Sequence, residues 1–239
     1  FTEDNISQIP ALKLLINLGY KYLSSEEVLA FRDGRLSNAI LTGILRERLM
    51  HINDIKVGNK KVKFELSNIE RAIQKLQDIP LMEGLVHASN YAYNLLVYGQ
   101  ALEQSIDGDK KSHTIQYIDW ENLDNNFFHV AEEFSVMRTG RKDTYRPDIV
   151  LFVNGIPLVI IECKSSTIKE PIKQAISQHI RNQQENGIQN LYCYSQVLIA
   201  TSLTQARYAT TNTKEEFWAV WKEKDLSFSE NIEDLVNQP

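Results

Sequence analysis

The sequence predicts an α/β protein: a mixed central β-sheet flanked by helices, with a largely helical amino-terminal portion. Three observations carry this expectation. Up to about residue 105, apolar residues recur three and four apart, the spacing of one helix face. Beyond it, short runs rich in valine and isoleucine alternate with turn residues, as strands do. The last of these runs follow the order strand, strand, helix, strand, which puts helices against a mixed sheet. The change of character divides the chain into a mainly helical portion, 1–105, and a core, 106–239, packed together as one compact unit.

The elements follow in order. Ala11–Leu18 carries Leu12, Leu15 and Ile16 at helical spacing and stops at Gly19. Ser37–His51 sets Leu41, Ile44, Leu45 and Leu49 on one side. Ser67-Asn68-Ile69-Glu70 has the capping-box form and opens a helix with Ile69, Ala72, Ile73 and Leu76 on its apolar face. A further helix over Leu81–Tyr98 ends at Gly99. Lys111–Asp119 and Phe127–Met137 read as strands, and Ile149–Val153 and Leu158–Cys163 read so most strongly. Pro171 starts a helix that runs to about Asn186 and closes at Gly187, followed by a buried strand at Val197–Ala200.

Composition narrows the class. The chain has 239 residues, 43% hydrophobic and 24% charged, which suits a soluble globular protein. The longest apolar runs, Ile149–Val153 and Ile156–Ile161, are far too short to cross a bilayer, so no membrane is expected. No signal peptide is visible, and Cys163 and Cys193 sit in strand-like apolar surroundings as reduced core residues; both point to the cytoplasm. A net charge of −5 argues against a dedicated non-specific nucleic-acid binder and leaves room for a local basic patch. The five histidines are scattered, without a ligand pattern.

The chemistry concentrates in YRPDIVLFVNGIPLVIIECKSS, Tyr145–Ser166. Two very apolar runs lie side by side, yet Asp148, Glu162 and Lys164 stand at their ends. Glu162 and Lys164 are two apart on a strand and share a face, while Cys163 points to the other. Register decides whether Asp148 joins them. A two-residue Asn154-Gly155 turn sets Asp148 opposite Ile161 and leaves Glu162 on the wrong face. A three-residue loop, or a bulge, sets Asp148 opposite Glu162. Two carboxylates so placed repel, and a hard cation such as Mg²⁺ relieves that repulsion. The Cys163 backbone carbonyl is an additional candidate ligand, and Lys164 a group to orient water and stabilise developing negative charge. The plain alternative is an exposed ion pair at a strand end, which contributes little.

Basic residues gather just before Asp148: Arg138, Arg141, Lys142 and Arg146 crowd MRTGRKDTYRPD, where they could neutralise DNA phosphates, or form a solvated charged loop. On the helix that follows the hairpin, Gln174, Gln178 and Arg181 share one face.

At these residues the chain resembles the PD-(D/E)xK nuclease superfamily. RPDIVLFVNGIPLVIIECK, with Asn154-Gly155-Ile156-Pro157 between the strands, is similar to the amino-terminal nuclease region of the restriction (R) subunit of type I restriction–modification enzymes. Leu18-Gly19-Tyr20, Ala175–Gln178 and YSQVLIATS extend the likeness. The resemblance implies a restriction-endonuclease-like fold and Mg²⁺-dependent cleavage of double-stranded DNA. It makes Asp148 and Glu162 the metal-binding acids and Lys164 the catalytic lysine. It also implies Gln178 in a Gln-x-x-x-Tyr element whose tyrosine position is here Asn182. Glu3 or Asp4 could supply an early acidic residue, though nothing local singles either out. The implied partners are a methyltransferase subunit and a specificity subunit. Because no Gly-x-x-x-x-Gly-Lys-Ser/Thr loop occurs, ATP would act only through a translocase motor lying beyond Pro239 in a longer polypeptide. Two rival readings are a stand-alone nuclease of the same superfamily and a degenerate nuclease fold that docks or binds DNA.

Overall fold

The computed structural model describes residues 8–221. Five helices dominate the amino-terminal portion: α1 (Ile9–Asn17), α2 (Ser25–Phe31), α3 (Thr42–Ile52), α4 (Leu66–Gln77) and α5 (Leu85–Tyr98). The central sheet has seven strands, numbered here along the chain: β1 (Lys21–Leu23), β2 (Phe128–Glu132), β3 (Ile149–Val153), β4 (Ile156–Cys163), β5 (Val197–Thr201), β6 (Ala206–Ala209) and β7 (Ala219–Val220). They lie side by side in that same order. The pairs β1–β2 and β4–β5 are parallel and the others antiparallel, so the sheet is mixed as expected. Parallel pairing of β4 and β5 needs a crossover, which α6 (Pro171–Asn182) and the short α7 (Gln189–Tyr192) provide.

Both faces of the sheet centre are buried, which explains why β3 and β4 read as continuous apolar runs instead of alternating ones. On β3, Val150 and Phe152 join the large core shared with α3, α4 and α5, while Ile149 and Leu151 join a smaller cluster with Leu12 of α1. The large core takes in residues from Leu23 to Trp218, on both sides of position 105. A hairpin strand, Gln100–Ile106, itself runs across that position and pairs with Asp109–Ile115. Among the described residues no helix is long and apolar enough to cross a membrane.

Several boundaries differ from the sequence reading, each for a local reason. α3 begins at Thr42, not Ser37, because the segment before it is held as a loop. The buried Arg32 guanidinium donates to the carbonyls of Leu36, Asn38 and Ser135 and stacks 4.3 Å from the Phe134 ring centroid. The capping box expected at Ser67 does not form. Glu65 is the residue before the helix, and Glu70 pairs with Arg46 of α3 instead. A capping box does occur at Ser24–Glu27. The helix expected over Leu81–Tyr98 is interrupted at Gly84, where φ is +97°. Phe127–Met137 breaks at Glu133, at φ +49°, leaving β2 and a two-residue ladder, Val136–Met137 with Thr144–Tyr145. α6 ends at Asn182, not Asn186. The Asn182 carbonyl accepts from Ile188 N at 2.8 Å, and a Cβ on Gly187 would fall 2.3 Å from it.

The β3–β4 turn is buried. Asn154 and Gly155 take φ of +53° and +82°, the left-handed pair that a two-residue hairpin turn requires. The Asn154 side chain donates to Tyr117 O at 3.0 Å and Asn126 Oδ1 at 2.7 Å, and accepts from Phe127 N at 2.8 Å. Gly155 O accepts from Leu41 N at 2.9 Å, at the start of α3. A Cβ at Gly155 would lie 2.6 Å from Leu41 O. Gly155→Ala therefore combines left-handed strain with a backbone clash and should cost at least about 2 kcal/mol, measured by urea unfolding.

Candidate metal and catalytic centre

The register of the hairpin resolves in favour of a bulge. The two-residue turn pairs Val153 with Ile156 and Phe152 with Pro157. The ladder then shifts, pairing Leu151 with Val159 and Ile149 with Ile161, so Leu158 is the extra residue. Pro157 stands opposite Phe152 at a non-hydrogen-bonded position, so its missing N–H costs this ladder nothing. The Leu158 carbonyl accepts from Gln196 N at 2.8 Å. One residue further than Ile149–Ile161, the shifted register sets Asp148 opposite Glu162. Both then lie on the sheet face shared with Val150 and Ile160, as does Lys164.

Asp148 is firmly held. Its Oδ2 accepts from Cys163 N at 2.7 Å, its carbonyl accepts from Glu133 N at 2.8 Å, and Lys164 Nζ stands 3.7 Å from Oδ2. Lys164 Nζ also donates to the Cys163 carbonyl at 3.1 Å. That carbonyl, expected as an additional metal ligand, is thus engaged by the lysine, though a carbonyl retains a second lone pair. Glu162 is fully buried. Burial first, then the charge of Asp148, pushes its carboxyl well above the ordinary range; Lys164 opposes this, and a carboxyl–carboxyl hydrogen bond that needs a shared proton adds to it. Glu162 Oε1 accepts from Asn182 Nδ2 at 3.3 Å, while Oε2 is buried without a hydrogen-bond partner.

That orphaned oxygen is the observation that tests a metal. A buried carboxylate oxygen without a donor, beside a second carboxylate, is what a hard divalent cation satisfies. Among the described residues no group of three His, Cys, Asp or Glu side chains gathers to hold an ion. Two carboxylates suit Mg²⁺, which usually keeps several waters.

The remaining expected residues are placed as follows. Gln178 is half-buried on α6, one turn before Asn182 on the same face. Arg138 is largely committed to structure: its side chain is 12% exposed, pairs with Asp143 at 2.7 Å, donates to Asn186 O and stacks on Tyr145. Arg141 and Lys142 are exposed, and Arg146 pairs with Glu133 at 3.1 Å. Glu3 and Asp4 lie outside the described residues. Sequence reasoning missed the part played by Asn182, whose side chain reaches Glu162, and by Tyr192, which lies beside it. The family spacing marks position 182 without telling what an asparagine there would touch, and Tyr192 is brought in only by the fold.

The chain belongs to the family described as the type I restriction enzyme R protein N terminus, which it matches over residues 1–217. It is 28% identical to MjaIXP of Methanocaldococcus jannaschii, a candidate type I restriction enzyme endonuclease subunit, over 92% of this chain and 20% of that one. It is 24% identical to the type I restriction enzyme HindI endonuclease subunit of Haemophilus influenzae, over 98% of this chain and 22% of that one. It is 26% identical to the EcoprrI endonuclease subunit of Escherichia coli, over 93% of this chain and 64% of that one. The chain thus spans about a fifth of the length of the first two.

The raised carboxyl gives a pH prediction. A buried Glu162 favours the folded state while protonated, and that contribution is lost as pH rises from about 4.5 through its raised folded value. Without divalent metal, Glu162→Gln should melt higher than wild type at neutral pH. The gap should close in acid, below the unfolded carboxyl range, as calorimetric melts across pH would record.

Proposed function

We propose that this chain is the DNA-cleaving domain of a type I restriction enzyme, a PD-(D/E)xK nuclease that hydrolyses phosphodiesters with Mg²⁺. The observation that carries the reading is the bulge-set pair, Asp148 opposite Glu162, with Lys164 Nζ 3.7 Å from Asp148 Oδ2. Family membership and the relatives' names support it.

Asp148 and Glu162, the latter through Oε2, would hold the cation; Asp148 is oriented by the Cys163 N–H at its Oδ2. When bound, Mg²⁺ supplies charge neutralisation at the phosphodiester and a lowered pKa for attacking water. The protein does the rest. Lys164 Nζ, anchored on the Cys163 carbonyl, orients the water and donates to the non-bridging oxygen that gains charge. Gln178, on the Asn182 face of α6, adds a neutral donor for water or phosphate. Arg141 and Lys142 neutralise phosphates flanking the cut, with Arg146 able to exchange Glu133 for DNA. Arg138 acts at one remove, by shaping the loop that presents them.

No base-reading element is part of this proposal. Choice of sequence would rest with a specificity subunit, modification with a methyltransferase subunit, and delivery of double-stranded DNA with an ATP-driven motor outside this chain. The complex would work in the cytoplasm, where both buried cysteines stay reduced.

Calorimetric titration with Mg²⁺ and Mn²⁺ tests the reading: binding in the wild type should vanish in Asp148→Ala. Equal heats in both proteins, with DNA present as well as absent, would sink it. Lys164→Ala should keep metal binding while cleavage by the reconstituted complex falls by roughly 10²–10³-fold. Arg141→Ala and Lys142→Ala should each lower the salt dependence of DNA affinity by about one unit of log–log slope, seen in binding isotherms at several salt concentrations.

A further inference from the structure

We infer that Asn182 is a positioning residue for the metal centre: its amide pins one oxygen of Glu162 and thereby presents the other to the cation. The inference rests on the metal reading above and concerns which groups prepare the site.

Asn182 is buried at 1% exposure, in the last turn of α6. Its Nδ2 donates to Glu162 Oε1 at 3.3 Å, while Oε2 of the same carboxylate is buried and unpartnered. One oxygen is thus held by the protein and one is left for a ligand, the division that one-oxygen coordination needs. The orientation of the amide is fixed from its other end. Arg181 Nη2 donates to Asn182 Oδ1 at 3.4 Å, so the oxygen must face the guanidinium and the nitrogen must face Glu162. A flipped amide would set an oxygen against Glu162 and an N–H₂ against a cation. The guanidinium is itself placed, 5.0 Å from the Tyr145 ring centroid, on a ring that Arg138 also covers at 4.3 Å.

The backbone fixes the rest. The Asn182 carbonyl caps the chain reversal after α6 by accepting from Ile188 N at 2.8 Å. Gly187 leaves room for it, since a Cβ there would sit 2.3 Å from that oxygen. On the inner side, the Tyr192 hydroxyl lies beside the Asn182 amide and is itself tied to His179 Nδ1 at 3.0 Å. His179 Nε2 in turn lies 3.0 Å from Ile199 O on β5, which fixes the ring. Asn182 is therefore held at its main chain, its oxygen and its surroundings, and what it does with that rigidity is hold Glu162. Supporting residues of this kind typically change metal affinity by about 10–100-fold when removed.

The test is Mn²⁺ titration of the complete natural polypeptide, without nucleotide, by calorimetry and by the electron spin resonance of bound Mn²⁺. Wild type, Asp148→Ala, Asn182→Leu and Asn182→Ala are compared, with metal-free melting curves to select variants that fold. Leucine keeps the branched heavy-atom outline of Asn182, though it is bulkier, and removes the donor; alanine serves if leucine does not fold. The expected result is an Asp148-dependent site whose affinity falls at least about 10-fold in the folded Asn182 variant, with an altered resonance of whatever Mn²⁺ remains bound. An Asp148-dependent site with unchanged affinity and spectrum in that variant overturns the inference and leaves the metal reading standing. No Asp148-dependent binding in the wild type, with DNA present as well as absent, removes both.

Discussion

The centre of this structure depends on a single extra residue. Without the bulge at Leu158, the tight Asn154–Gly155 turn would run the ladder straight, setting Asp148 opposite Ile161. Glu162 would then face the cluster around Leu12 and Val130, and a carboxylate would lie among aliphatic side chains. With the bulge, both acids and Lys164 come to one face. The carbonyl freed there is not wasted, because Gln196 N at the start of β5 takes it. A turn geometry that suits hairpin twist and a register that suits chemistry are thus reconciled within three residues, Pro157 to Val159.

The helical portion stabilises that arrangement from the far end. α3 starts against Gly155, and the Asn154 side chain makes three hydrogen bonds to two segments, at Tyr117 and at Asn126–Phe127. Arg32 does similar work nearby, spreading one buried cation over three carbonyls and an aromatic ring in place of an acidic partner. Burial lowers its proton affinity, to about 10, yet leaves it charged at neutral pH. Such contacts leave the sheet little freedom to slip, which matters most where two carboxyl groups face each other.

Much of this was legible in the sequence, and what was not has physical causes. The mixed sheet, β3, β4, the start of α6 at Pro171 and the buried, unbridged cysteines follow from local pattern. So did the structural demand that the hairpin carry either an odd loop or a bulge; that it is a bulge depends on pairing across strands, which local pattern does not encode. Capping was misread at Ser67 because a Ser-x-x-Glu spacing is necessary but not sufficient, and the Glu70 carboxylate had a better partner in Arg46. Breaks at Gly84 and Glu133 fall where the backbone takes positive φ, +97° and +49°, at exposed residues. The Gln-x-x-x-Tyr spacing marks position 182 but not what an asparagine does there, and Tyr192 matters through contacts made between elements.

The buried hairpin tip has a consequence for how such a chain can vary. Hairpin tips are ordinarily exposed, and there insertions and deletions are absorbed most readily. Here the tip is enclosed by Leu41, Tyr117 and Asn126, so the stretch from Asp148 to Glu162 has no slack at either its turn or its bulge. Length change is confined to places such as the exposed Thr139–Asp143 loop. The distance along the chain between the two acids is therefore an invariant of the architecture, set by steric enclosure before chemistry makes any demand of its own.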